Sequence, residues 1–301
     1  MNIIMLNITE GWIYRLYEEY ILSIKNFISK NYDNINIDIL FFELSSFDIN
    51  NINFDQYNII FYSGDINIIN LILDKINNNY DKLYFINIEQ MSHQSYYKLI
   101  RNIDINLNII DYSEENVPFF KNIYNKVFLI PPHFNINNNN NNNNKNNKKI
   151  DILSFNNNEY RNKILKKIKN NLDDKFNILL LNNCYHDVRD KYFSESKIYI
   201  NIHCSDEHQT MEMIRIVNLI MNKVIVISQK SLYSDLLFLN KYIIIYNDID
   251  DKIDNLNNHI NDILLNYDYY YNKIYSEFNT EEYYNYIKNN VDKLINNLKN
   301  I

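Results

Sequence analysis

The chain has no alanine, 2 glycines, 3 prolines, 2 cysteines and a single tryptophan in 301 residues. Two cysteines, Cys184 and Cys204, cannot build the disulfide framework of a small secreted domain, so a reducing compartment is the expected setting. There is no Walker sequence and no GxGxxG. That silence says little, because residues with GC-rich codons are scarce throughout and those with AT-rich codons are over-used. Asn, roughly a fifth of the chain, tolerates left-handed backbone next best after glycine and is expected to make the turns. Long apolar runs are missing too. Those at 224–227 and 243–245 are strand-length, far short of the ~20 residues of a membrane helix. The opening MNIIMLNITEGW has no basic stretch ahead of a long apolar core, so no secretory leader is expected. Positive charge is also short: 30 Lys and Arg stand against 37 Asp and Glu, a net −7, which speaks against a nucleic-acid partner.

What is present is core material, 46% hydrophobic and 15% aromatic, which excludes wholesale disorder. Near-continuous apolar runs, the mark of strands buried on both faces, fall at 3–6, 37–42, 58–62, 83–88, 107–110 and 127–130. Helical patterns over 14–29, 66–77, 94–101 and 114–123 lie between them. The second half repeats the theme, with strands at 150–155, 176–181, 198–203, 224–228 and 242–246. Its helices are expected over 159–171, 188–196, 209–221, 231–239 and 249–265, and an amphipathic one over 281–300. Such alternation predicts an α/β protein with parallel sheets. Between the halves, Pro131-Pro132-His133-Phe134 is followed by the Asn run 137–144, read as a codon-slippage insertion in a loop in preference to a prion-like assembly element. The expected domains are 1–134, a linker 135–149, 150–280, and a last helix 281–301 that crosses back to the first domain.

Ligands of open α/β sheets bind beyond the carboxyl ends of strands. Those ends carry Glu89, Gln90, Ser92 and His93; Asp111, Ser113, Glu114 and Asn116; Asn156–Asn158, Glu159 and Arg161; and His203, Ser205, Asp206, Glu207 and His208. Two such edges facing each other make a cleft between the domains. On the helix expected at 209–221, Glu212, Arg215 and Asn218 form a polar stripe among apolar residues. One reading is a solvated face with an ordinary ion pair. The other is a phosphate site, since arginine stays charged when desolvated and grips phosphate oxygens in pairs, and the chain has only five arginines. A helix start near 206–209 would add free N–H groups. Arg161, opening the helix after 150–155, is open to the same two readings. Cys184, His186, His203, Cys204 and His208 lack metal-ligand spacing, so no metal site is expected. The tyrosines, spread along the chain, are read as core and surface filler.

Several of these segments, taken in order, resemble the GT-B glycosyltransferases, in particular the group 1-like and spore-maturation-protein-like branches of viruses and bacteria. They are Asp151-Ile-Leu-Ser-Phe-Asn-Asn-Asn-Glu-Tyr-Arg161, Lys197-Ile-Tyr-Ile-Asn-Ile-His203, Glu212 with Arg215, and Asn222-Lys-Val-Ile-Val-Ile-Ser228. Tyr84-Phe-Ile-Asn-Ile-Glu-Gln90, Asp111-Tyr-Ser113 with Asn116, and Val127 through His133 extend the likeness into the first half, so that it spans about 83–240. The resemblance implies two Rossmann-like domains across a cleft and a transferase with a nucleotide-diphosphate-sugar donor. No cofactor or essential metal is implied, the acceptor is a glycan or protein, and the setting is cytoplasmic (the host's, if the chain is viral). It places the donor on Arg161, Arg215, Glu212, Asn157 and Glu207, and the acceptor beside Gln90, Ser113 and Asn116. Glu89, His93 and His203 become the catalytic candidates. There are departures: Asn156 or Asn157 replaces the phosphate-turn glycine, Tyr160 the first arginine of a pair, His133 a glycine after proline, and Gln229 a glutamate. They imply an alternative, a catalytically decayed binding or scaffold protein on the same frame.

Overall fold

The protein, a computed structural model, is described at residues 1–10, 13–104, 106–133, 148–155, 158–205, 207–247 and 253–301, with backbone alone at 13–17. It divides into two compact units, Met1–Phe134 with Glu281–Ile301, and Asn135–Thr280.

The first unit begins β1 (Asn2–Thr9), α1 (Ile13–Asn31), β2 (Asn36–Glu43), β3 (Ile59–Gly64), α2 (Ile68–Lys75) and β4 (Leu83–Asn87). It continues α3 (Gln94–Ile100), β5 (Asn108–Asp111), α4 (Val117–Lys121) and β6 (Val127–Leu129). All six strands are parallel, in the order β2-β1-β3-β4-β5-β6. Helix α4 is shorter than the apolar pattern suggests because Pro118 sits in its first turn, where a missing N–H does no harm.

The second unit runs β7 (Ile150–Phe155), α5 (Glu159–Leu172), β8 (Ile178–Leu181), α6 (His186–Glu195), β9 (Ser196–Asn201) and α7 (Met213–Met221). Then come β10 (Ile225–Gln229), β11 (Ile243–Tyr246), α8 (Ile253–Leu265) and α9 (Tyr267–Tyr275). Its sheet, also parallel, has the order β11-β10-β9-β7-β8. The strand order reverses between β7 and β9, which makes their carboxyl ends the topological switch point. The final helix, α10 (Thr280–Leu298), is part of the first unit. Ile287, Val291, Leu294 and Ile295 are buried along one face, Tyr283 donates to the Pro132 carbonyl at 2.9 Å, and Asn297 donates to the Tyr84 hydroxyl at 2.6 Å.

Three helix expectations differ. The helix expected over 209–221 begins at Met213, with Glu212 at its N-cap position. Ahead of it, other bonds compete with helix: Ser205 Oγ pairs locally with His208 Nδ1, and the Gln209 carbonyl accepts from the distant Leu232 N. No helix therefore starts at 207–209, and Asp206 lies outside the described residues. The stretch 231–239 is not an α-helix; it holds a 3-10 turn, Ser234–Leu236, with i+3 bonds only. Helix α9 was not expected at all. The start expected for α8 at 249 and most of the 135–149 linker lie outside the described residues.

Candidate functional site

The switch point of the second sheet is laced across its two loops. Asn158 caps α5, its Oδ1 accepting from Arg161 N at 2.8 Å, while its Nδ2 donates to the Cys204 carbonyl at 2.9 Å and to Sγ at 2.8 Å. This is the usual N-cap arrangement, using an orphan donor of the helix start. Arg161 reaches the same way: Nε donates to the Ile202 carbonyl at 2.8 Å and Nη2 to Glu212 Oε1. On the other oxygen, Arg215 Nη1 stands 2.6 Å from Glu212 Oε2 and 3.2 Å from the Tyr199 hydroxyl. The Arg215 guanidinium lies over the Phe155 ring, 4.6 Å from its centroid, on an aromatic floor with Tyr199 and Phe193. Two arginines 54 positions apart thus meet on one carboxylate.

The electrostatics follow. Burial works to raise the Glu212 pKa, but the Arg161 and Arg215 guanidiniums outweigh it and hold the carboxyl at about 2. Burial opposes the charge of Arg215, and Glu212 reverses that, holding its pKa above the ordinary value. The third member of the expected stripe, Asn218, is buried, donating to Asp190 Oδ1 at 2.8 Å, while Glu212 and Arg215 are part-buried. His203 is buried just past β9, its Nε2 donating to the Lys230 carbonyl at 2.9 Å and its N–H to Gln229 Oε1 at 3.1 Å. Burial pushes its pKa down, so the ring is neutral near pH 7. Glu207 is exposed in the same loop, and Asn157 lies outside the described residues.

In the first unit the acceptor-side candidates gather after β4 and β5. Asp111 Oδ1 accepts from Ser113 N at 2.7 Å, and Oδ2 accepts from Asn87 at 2.6 Å and Asn116 at 3.3 Å. Asn116 also donates to the Glu89 carbonyl at 2.9 Å and accepts from Met91 N at 3.0 Å. Ser113 and Asn116 are fully buried, and these bonds shape the 88–93 loop. That loop holds Gln90 buried and Glu89 and His93 partly so. Burial lifts the Asp111 pKa to about 7, against the lowering effect of its three donors.

Phe155 and Tyr199 are not among the residues the sequence points to; Asn158 is, but only as a polar residue after a strand. The cap spacing of Asn158 to Arg161 was a usable signal; Phe155 and Tyr199 look like any strand residue. Among the described residues, no three His, Cys, Asp or Glu side chains are grouped to hold a metal, and no helix is long and apolar enough to cross a membrane.

No protein-family profile matches the chain. An uncharacterized protein of Acanthamoeba polyphaga mimivirus is 28% identical over 227 residues, 73% of this chain and 75% of that protein. Among solved structures, the DNA-modifying enzyme beta-glucosyltransferase, studied with and without uridine diphosphoglucose, matches with a TM-score of 0.53 at 10% identity, covering 92% of each chain. An alpha-glucosyltransferase in complex with UDP and a 13-mer DNA matches with a TM-score of 0.54 at 12% identity, over 95% of this chain and 99% of that one. Identities this low speak to fold and not to substrate. Two parallel sheets with a switch point in each, and likeness to these enzymes over nearly the whole chain, lead to one conclusion: the protein has the fold of the GT-B glycosyltransferases.

Proposed function

We propose that the protein is a glycosyltransferase that moves a sugar from a nucleoside-diphosphate sugar to a glycan or protein acceptor. The observation that carries this is the meeting of Arg161, Arg215 and Glu212 beside the N-terminus of α5, at the switch point of the second sheet. As the bond from the anomeric carbon to the diphosphate breaks, charge grows on the leaving oxygen. Fixed guanidinium groups and a helix N-terminus stabilise that charge without reorganising. Glu207, exposed in the same loop, and Asn157 complete the donor side of this reading, with His203 touching the sugar or phosphate. Glu89 or His93 takes the proton of the acceptor hydroxyl, near Gln90 and the loop that Ser113 and Asn116 hold. The leaving charge is met by arginine, so activity is expected to persist in EDTA.

UDP-glucose is the first donor to try, because the structural neighbours are described with UDP or uridine diphosphoglucose. Both neighbours are described with DNA, one as a DNA-modifying enzyme and one in complex with a 13-mer DNA. A DNA acceptor is disfavoured here, since the first unit carries 19 Asp and Glu against 12 Lys and Arg. The test is release of nucleoside diphosphate from a panel of nucleotide sugars, with and without glycan and protein acceptors. Arg215→Ala is expected to lower kcat/KM by roughly 100-fold, the scale for losing one donor to a developing anion. Absence of both turnover and binding with every donor tried would sink the reading. A second reading, a binding protein on the same frame, is favoured by one observation: Glu212 already neutralises part of the arginine charge. Tight donor binding without turnover would select it.

A further inference from the structure

The two arginines differ in which edge of the guanidinium remains available. A guanidinium grips two phosphate oxygens best through a pair of parallel N–H bonds. In Arg161 the Nε–Nη2 edge is used inside the protein, Nε on the Ile202 carbonyl and Nη2 on Glu212, and the side chain is 6% exposed. In Arg215, Nη1 holds Glu212 and Tyr199, and among the described residues nothing bonds Nε or Nη2. Its side chain is 17% exposed and one face is covered by Phe155, so the ring floor sets the plane in which that open edge lies. Glu212 is the shared counter-ion, leaving one net positive charge for an anion.

We propose that Arg215 alone makes the two-pronged contact to the donor's diphosphate, and that Arg161 is a positioning residue acting through Glu212. This rests on the reading of the second unit as a nucleoside-diphosphate-sugar site, and gives its two arginines unequal tasks. Without Arg161, Glu212 turns its whole charge on Arg215 and competes with the ligand. Without Arg215, nothing remains to fork the phosphates.

The probes are inorganic pyrophosphate, which needs no knowledge of the nucleoside, and UDP, titrated calorimetrically into the full chain. Arg215→Lys keeps the charge and loses the fork; affinity for both probes is expected to fall at least tenfold. Arg161→Met is expected to weaken binding, and adding Glu212→Gln in that background is expected to restore affinity to within about threefold of wild type, because one unbalanced charge is removed with its partner. The same Glu212→Gln change should restore nothing in Arg215→Met. Should Arg161→Met unfold, as a thermal melt would report, Arg215→Lys and the Arg161→Met/Glu212→Gln pair still decide the matter. Equal losses at both arginines, or no rescue by Glu212→Gln, would overturn the division of tasks while leaving the donor site standing. A wild-type chain that binds neither probe would overturn the donor site, and the division with it.

Discussion

At Gly64 the end of β3 runs so close to β1 that a Cβ would stand 1.9 Å from the Ile8 carbonyl oxygen, with φ at +135°. Gly64→Ala must strain the backbone or shift a strand; about 1–3 kcal/mol for the dihedral alone. At roughly 2–4 °C per kcal/mol for a domain of this size, the melting temperature should fall by several degrees. An unchanged melt would contradict the close approach. Elsewhere asparagine takes glycine's place: Asn77, Asn78 and Asn183 have φ of 54°, 56° and 47°. Asp111 sets a pH dependence of its own. Its folded pKa of about 7 lies above the ordinary aspartate value of 3.8, chiefly through burial. Between those values the folded chain holds a proton that the unfolded chain has lost, so this residue's contribution to stability falls as pH rises from about 4 to 7 and is level above. The difference in melting temperature between wild type and Asp111→Asn, followed across that range, should show this slope; a flat difference would remove Asp111 as its source.

Elements show where local pattern suffices and where it fails. All eleven strands among the described residues fall where the apolar runs place them. The central ones are buried on both faces and must be apolar whatever their neighbours, while edge strands such as β2 and β6 are only part-buried. The helices were legible where an apolar stripe met a cap or a proline. Helix α7 starts late because side-chain bonds in 205–209 compete with the backbone ladder, which residue spacing does not register. Helix α9, with Tyr267, Tyr271 and Tyr275 one turn apart and in ring contact, was hidden by treating tyrosine as filler. Helix α10 allows a test. Leu294→Ala, at a fully buried position, should cost about 2–5 kcal/mol, read from denaturant unfolding. A loss under 1 kcal/mol would mean that α10 does not close the core of the first unit.

On the scale of the molecule, charge is unevenly divided. The first unit carries the whole net −7, and the second balances 18 acidic against 18 basic residues. A polyanion gains nothing from releasing counterions against an acidic surface, so duplex DNA should give no mobility shift at physiological salt. A salt-sensitive shift would reopen a nucleic-acid acceptor. The second unit, being neutral, lets one net guanidinium charge stand out at the switch point.

The sequence alone determined the alternation of strand and helix, and it singled out Arg161, which follows a strand, and Arg215, a scarce arginine on an otherwise apolar helix, as candidates. These are local properties, written in runs and spacings of a few residues. Only the tertiary structure decided that Arg161 and Arg215 share Glu212, that Asn158 ties one loop to the next through Cys204, and which guanidinium edge stays open. Arg161 and Glu212 are separated by 51 positions and joined only because β7 and β9 lie side by side. Strand order is settled by the packing of whole elements, and no residue's near neighbours in the chain encode it.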